Sequence, residues 1–335
     1  MIKLLVYIAS ALALVLIFQL MRIYQLSSEL KGKNIGVADE KDNRSQGNLV
    51  LMFMAAFFIF IGWLILRYKD DMLPKAASDV GATSDSVFNF NWLIIFVVLI
   101  ATEGMLFYFC FKYKKTKENP TAYFYPHNDK LELIWTVVPS IALAGIIIFG
   151  LSLWGKMTGT PDPNSIKIQL YAKQFDFTVR YAGADNTLGK SDYRLIDDAT
   201  NPLGIDTTDT KGWDDIIVKG EFHIPVNQPI LFECNARDVM HGMFFPHFRE
   251  QINCVPGITT EMHFVPTITT TEMKKITKDT NFDYLLICNR VCGSGHYTMQ
   301  MKVVVDTQDD YKKWLAKQKK FRPEGAGKPV ATAMK

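Results

Sequence analysis

The stretch CNRVCGSGHYTMQM runs from Cys288 to Met301 and gathers two cysteines, a histidine and two methionines. Thiolate, imidazole and thioether are soft donors, and their crowding into one short stretch points to metal ligation rather than core filling. Cys288, Cys292, His296 and Met299 lie at offsets 0, 4, 8 and 11. Gly293, Ser294 and Gly295 would break a helix, and DYLLIC ahead of them reads as a strand, so the donors are expected on a loop between two strands. Such a loop reaches an ion from several sides while the strands hold it rigid. The thioether favours copper. Zinc takes Cys and His but rarely Met, and its fingers use C-x₂₋₄-C pairs with a distant second pair. A mononuclear blue-copper site would use one Cys, two His and a Met. Here one loop offers two Cys and one His, so a second His must come from elsewhere. ARDVMHGMFFPHF supplies His241 and His247, and either could close the site. The bland alternatives are a Cys288–Cys292 disulfide, Met301 as a strand residue, and His247 as a surface residue.

These donors need a scaffold. From Ile166 onward, IKIQLYA, FDFTVRY, DIIVKGEFHIPV, PILFECNA, TTEMHFVP, DYLLICN and MQMKVVVD are short, rich in β-branched and aromatic residues, and separated by turn residues. That many strands predict an all-β sandwich or barrel over 161–306. The polar segment from Asp185 to Asp215 reads as a surface insertion. QDDYKKWLAKQKKF reads as an amphipathic helix within a C-terminal segment, 307–335. Cys234 and Cys254 are core thiols or a disulfide.

The 335-residue chain is 48% hydrophobic, and the excess is concentrated before this region. Runs near Leu4–Met21, Leu49–Leu66, Trp92–Phe111 and Leu133–Trp154 each approach the ~20 residues that span a bilayer. No small-x-small cleavage site follows the first run in MRIYQLSSEL, so it is kept as a span. The four runs divide into a hairpin over 1–88 and a second over 89–160. Arg22, Lys31, Lys33, Lys41 and Arg44 follow the first run, and Lys112, Lys114, Lys115, Lys117 and Lys130 follow the third. Between the second and third stand only Arg67, Lys69 and Lys75. The positive-inside rule then puts both termini and the β-domain outside the cytoplasm. Glu103 lies mid-span, where a carboxylate is costly and suggests function or a partner. The net charge of +3, with no basic block interleaved with aromatics, gives no sign of nucleic-acid binding.

With these motifs in view, the chain resembles cytochrome c oxidase subunit II. The loop is similar to the C-x₃-C-x₃-H-x₂-M signature of the dinuclear CuA site, DVMH to the family's DVxH, VPG at 255–257 to its PG turn, and HNDKLELIWTVVP at 127–139 to its HNxxLExxWTxxP. The resemblance covers roughly 85–306 and implies that the four transmembrane helices read from the apolar runs are followed by a cupredoxin-like Greek-key domain. The resemblance also implies two copper ions bridged by Cys288 and Cys292, with His241 and His296 each binding one. Met299 and the backbone carbonyl of Arg290 would be weak ligands. It further implies electron entrance near Phe175 and Phe177, and Glu132 at the mouth of a proton path into subunit I. The implied partners are subunit I with its haems and CuB, subunit III, and cytochrome c or a membrane-bound c-type cytochrome as donor. The implied place is a bacterial inner membrane, with the copper domain periplasmic. The oxygen-reducing chemistry would belong to subunit I.

Departures from the pattern are specific. The family often carries Glu between the cysteines as a Mg²⁺ ligand; Arg290 stands there, which puts that Mg²⁺ site in doubt for this chain. Phe175 occupies the place of the family's electron-accepting Trp, and Asn253 that of an acidic docking residue. The first two runs exceed the usual two-helix plan and are expected to dock another respiratory component, as in a supercomplex. A quinol oxidase subunit II would lack the copper ligands. The copper domain of nitrous oxide reductase would lack the LELIWT span. A copper chaperone would need an open site with few ligands.

Overall fold

The computed structural model describes residues 2–32, 38–118, 120–121 and 123–321. Four helices come first: α1 (Ile2–Leu30), α2 (Glu40–Tyr68), α3 (Asp79–Lys112) and α4 (Asp129–Thr158). All four are long and apolar enough to cross a membrane. The chain forms two compact units, Met1–Lys69 with Ile95–Asp129, and Asp70–Ile94 with Lys130–Lys335. In the first, α2 starts on a reciprocal cap: Asp42 N donates to the Asp39 carboxylate at 2.7 Å, and Asp39 N to that of Asp42 at 3.2 Å. Phe53 of α2 meets Phe107 of α3 edge-on at 5.7 Å. The boundary expected at residue 88 falls inside α3. The apolar run marks only the part of the helix fit for hydrocarbon, whereas DVGATSDSVFNF before it is polar yet still helical.

The second unit contains the β-domain. Among the described residues its strands are β1 (Ile166–Lys173), β2 (Asp176–Tyr181), β3 (Ile216–Lys219), β4 (Glu221–Pro225), β5 (Ile230–Ala236), β6 (His241–Phe245), β7 (Glu250–Cys254), β8 (Thr260–Phe264), β9 (Tyr284–Ile287) and β10 (Gln300–Asp306). They form two five-stranded sheets, β3-β2-β1-β5-β8 and β4-β10-β9-β6-β7. Pairings β1–β5 and β4–β10 are parallel, the rest antiparallel. The inner faces bury Phe222, Phe232, Phe245, Phe248 and Phe264. The expected order, four apolar helices and then an all-β sandwich, is the one observed.

Several local features differ from the sequence reading. DIIVKGEFHIPV, expected as one strand, splits at Gly220 into β3 in one sheet and β4 in the other. Strands β6 and β7 escaped notice because HGMFF and EQINC are short and do not alternate cleanly. Helix α5 (Thr270–Thr277) was announced by Thr269 and Glu272, whose side chains form a capping box. The insertion is more than surface: Leu203 and Ile205 are buried, and Asp215 closes on Arg180 in the interior. Helix α6 (Gln308–Ala316) buries Tyr311 and stacks Trp314 on His223 at 4.1 Å.

The chain before α3 is fastened to the β-domain. Ala77 N donates to His247 O at 2.7 Å, Ser78 Oγ to Phe248 O at 2.6 Å, and Arg249 Nε to Asp85 Oδ1 at 2.7 Å. His247 is half-buried rather than free on the surface: its ring stands edge-on to Phe282 and Tyr284 at 4.9 and 5.3 Å. Burial, helped by Arg249, pushes it down to about 4, so it is neutral at pH 7.

Glu250 beside this latch is fully buried, and neither carboxylate oxygen has a hydrogen-bond partner among the described residues. Burial, with Asp79 adding repulsion, pushes it up to about 9, against ~4.3 in an unfolded chain. A raised carboxyl favours the folded state below the unfolded value and loses that advantage as pH rises towards the folded one. Glu250→Leu is therefore expected to stabilise the domain, by up to about 4 kcal/mol at pH 7. Thermal melts should show a larger gain at pH 8.5 than at pH 5; a gain independent of pH would contradict this.

Candidate metal centre

The donors come from two places in one sheet. His241 opens β6, and the Cys288–Met299 loop joins β9 to β10, with one short turn at His296–Thr298. His241 Nδ1 lies 4.0 Å from Cys288 Sγ, and Cys288 Sγ lies 3.2 Å from the Arg290 carbonyl. Cys292 Sγ lies 3.7 Å from His296 Nδ1 and 3.9 Å from Met299 Sδ. The two sulfurs are 3.9 Å apart, beyond the ~2.05 Å of a disulfide. Atoms that bind one ion at ~2.0–2.3 Å stand about 3–4.5 Å apart, so every spacing fits shared coordination. The donors fall into two sets, His241 with the Arg290 carbonyl at Cys288, and His296 with Met299 at Cys292. The two cysteines face each other between them.

His241 is fully buried, as are Cys288, Cys292 and Met299 within a few per cent, while His296 is half-exposed. His247, the other candidate, is engaged by Phe282 and Tyr284 instead. Met301 is a β10 core residue. Burial pushes the Cys292 thiol up to about 11, and Cys288 beside it adds to this. A bound cation would be needed to hold both as thiolates.

One residue of the site was overlooked although it lies in DVMH. Asp238 Oδ1 is 2.8 Å from His241 Nε2, which leaves Nδ1 facing the sulfurs. Burial opposes its ionisation, but hydrogen bonds from His241, Gln174 N and Val239 N outweigh this and hold it below the usual carboxylate range.

The turn between β1 and β2 covers the loop. Gln174 Nε2 donates to Cys292 O at 2.6 Å. The Phe175 ring lies on Gly295, where a Cβ would come within 2.6 Å of it. Phe175 is 36% exposed, but Phe177 is 0% exposed. An external donor cannot touch Phe177: it lies inside β2, paired with Ala172 and turned to the core, whereas Phe175 sits in the turn. Val291 and Tyr297, both 87% exposed, continue the apolar rim around the donors. Gly295→Ala is expected to push the ring and the loop apart and to release copper to a chelator. The double variant Phe175→Ala/Gly295→Ala should recover copper retention, measured by metal analysis after dialysis.

Two of the departures from the resembled pattern meet each other: Arg290 Nε donates to Asn253 Oδ1 at 3.2 Å. Asn289 packs on β6 where a Cβ at Gly242 would lie 2.0 Å from its Oδ1, so the loop lies directly on the strand. Glu132 lies in the first turn of α4, where the helix dipole favours a carboxylate, and is not one of the donors.

The chain is similar to known proteins. Residues 67–153 match the family model described as cytochrome c oxidase subunit II, transmembrane domain. The alternative cytochrome c oxidase subunit 2 of Bradyrhizobium diazoefficiens is 31% identical over 238 residues, which cover 71% of this chain and 80% of that one. Cytochrome c oxidase subunit 2 of Thermostichus vulcanus is 24% identical over 265 residues, covering 72% and 77%. Among solved structures, the periplasmic domain of subunit II of cytochrome oxidase of Bradyrhizobium japonicum is 20% identical and covers 48% of this chain and 95% of that domain, with a TM-score of 0.32.

Proposed function

Because the chain belongs to the cytochrome c oxidase subunit II family, and so to an oxidoreductase complex, we propose that its β-domain holds a dinuclear copper centre that receives electrons from a c-type cytochrome and passes them to subunit I. The observation that carries this reading is the pair of donor sets that meet at Cys288 and Cys292. His241 and both cysteines offer ligand atoms within 4.8 Å of one another, so the two sets meet on the shared cysteine pair. Copper held by His241, Cys288, Cys292, His296 and Met299 would supply one-electron storage.

The chain's own residues do the rest. Asp238 fixes the ring of His241, and the β9 and β10 strands fix the ends of the loop. Gln174 and Phe175 close it from outside, and the buried sulfurs keep water away. Every ligand position is filled by protein, so the site suits electron transfer rather than bond chemistry. Electrons enter through the rim formed by Phe175, Val291 and Tyr297. The β-domain lies on the periplasmic side of the membrane, as does the N-terminus. Glu132 stands at the start of a proton path into subunit I. The Arg290 side chain, engaged with Asn253, takes the place of a carboxylate, and no Mg²⁺ is held there. Helices α1 and α2 dock a further respiratory component. A quinol oxidase subunit fits less well, since all the copper donors are present.

The test is stopped-flow mixing of the assembled oxidase with a reduced c-type cytochrome. Phe175→Ala should slow cytochrome oxidation while copper content stays unchanged. A copper-replete complex that leaves the cytochrome reduced would refute the proposal. Met299→Leu removes a weak donor of the kind that tunes a copper potential, so it should shift the potential and keep the copper. Redox titration with metal analysis reads both.

A further inference from the structure

We propose that Cys234 and Cys254 are joined in the mature protein by a disulfide that staples the two sheets directly behind His241. The inference rests on the periplasmic placement of the β-domain, because that compartment is oxidising.

Three observations bring the pair together. Cys234 is on β5 in one sheet and Cys254 ends β7 in the other, and both side chains are 0% exposed. Ala236 and Pro256 form a parallel bridge, so the chain leaving β7 meets the end of β5 two residues beyond each cysteine. The Thr260 hydroxyl on β8 reaches the carbonyl of Asn253 at 2.7 Å and that of Cys234 at 3.5 Å, so one side chain ties the two backbones at this level. Cys234 Sγ lies 3.4 Å from Met243 Sδ, a thioether that forms no disulfide. The copper loop uses neither thiol.

The position gives the bond a purpose. Cys254 is the cross-strand partner of His241, and the ring closed between 234 and 254 contains Asp238, His241 and all of β6. A covalent tie there fixes the strand that supplies the buried imidazole. It also withdraws two of the domain's four cysteines, which leaves Cys288 and Cys292 as the only dithiol available to metal.

The chemistry balances with an external disulfide, of the thiol–disulfide oxidoreductase class, as oxidant. One cysteine thiolate attacks it, forming a mixed disulfide and releasing a thiol. The second cysteine then displaces the remaining sulfur. Two S–H bonds are lost from this chain, one S–S bond forms, and the oxidant leaves as two thiols. Because both sulfurs are buried in the folded domain, the exchange takes place before the sandwich closes, and the product resists mild reductant.

The test uses the full chain in detergent, stripped of copper with a chelator, denatured, alkylated without reductant and digested. Expected are a linked peptide pair containing Cys234 and Cys254, two hydrogens lighter than the thiols, and alkylated Cys288 and Cys292. Alkylation of both Cys234 and Cys254, or a link between Cys288 and Cys292 in their stead, overturns the proposal. The readout does not need copper, so copper content measured beforehand reports separately on the proposed function. Variants give a second arm. Cys254→Ala leaves a lone thiol to mispair during folding and should lower copper loading severalfold. Cys234→Ala/Cys254→Ala should restore loading but melt lower than wild type and no longer respond to strong reductant. Equal loading in both variants, with melting unaffected by reductant in wild type, also overturns it.

Discussion

Cys292→Ser is expected to reduce copper from two ions to at most one per chain and to slow electron transfer to subunit I by more than about a hundredfold, the upper range already reached when only a second-shell partner of a metal is removed. Cys292 is the hub of one donor set: its sulfur faces Cys288, His296 and Met299 at 3.9, 3.7 and 3.9 Å. A serine hydroxyl is too short and too weakly acidic to bridge two soft ions. The fold should survive, because the tie from Gln174 goes to the backbone carbonyl of residue 292. Metal analysis, circular dichroism and single-turnover kinetics on one preparation would separate loss of the centre from loss of the domain. Retention of both coppers would show that Cys292 does not bridge.

Arg180→Met is expected to cost about 3–5 kcal/mol, because it leaves a buried charge uncompensated. The side chains of Arg180 and Asp215 are 1% and 0% exposed. Arg180 Nε donates to Asp215 Oδ2 at 2.8 Å, and Nη2 donates to the same oxygen and to Gly189 O. Nη1 donates to Gln169 Oε1 at 3.2 Å. One guanidinium thus ties β2, β1 and both ends of the insertion. For a unit of 150–250 residues the loss corresponds to a fall in Tm of roughly 6–20 °C. Arg180→Met/Asp215→Leu removes both charges and should recover most of it. If the double variant melts no higher than the single one, the cost lies in packing rather than in the stranded carboxylate.

Much of the centre could be read from the chain. Spacing and donor softness singled out Cys288, Cys292, His296 and Met299 as candidate ligands from the residues alone, because one loop carries them all. His241 was open between two histidines: sequence distance cannot tell which ring faces a loop some fifty residues on. The fold decides by opening β6 at His241 and turning His247 against Phe282 and Tyr284. Asp238 was in plain view in DVMH, yet its role depends on the ring nitrogen it meets. Phe177 misled because QFDF looks like a pair of equivalent aromatics, whereas only Phe175 lies in the turn. Apolar runs gave the number of long helices but not the start of α3, whose first turns are polar. The insertion read as surface because its buried anchor, Asp215 on Arg180, pairs residues distant in sequence.

The most direct measurement is copper per polypeptide in the purified full-length chain together with its EPR spectrum. Two coppers per chain, and a signal whose hyperfine pattern shows one unpaired electron shared equally by two copper nuclei, are expected. One copper per chain, zinc in its place, or a spectrum from a single copper nucleus would contradict a dinuclear centre built on Cys288 and Cys292.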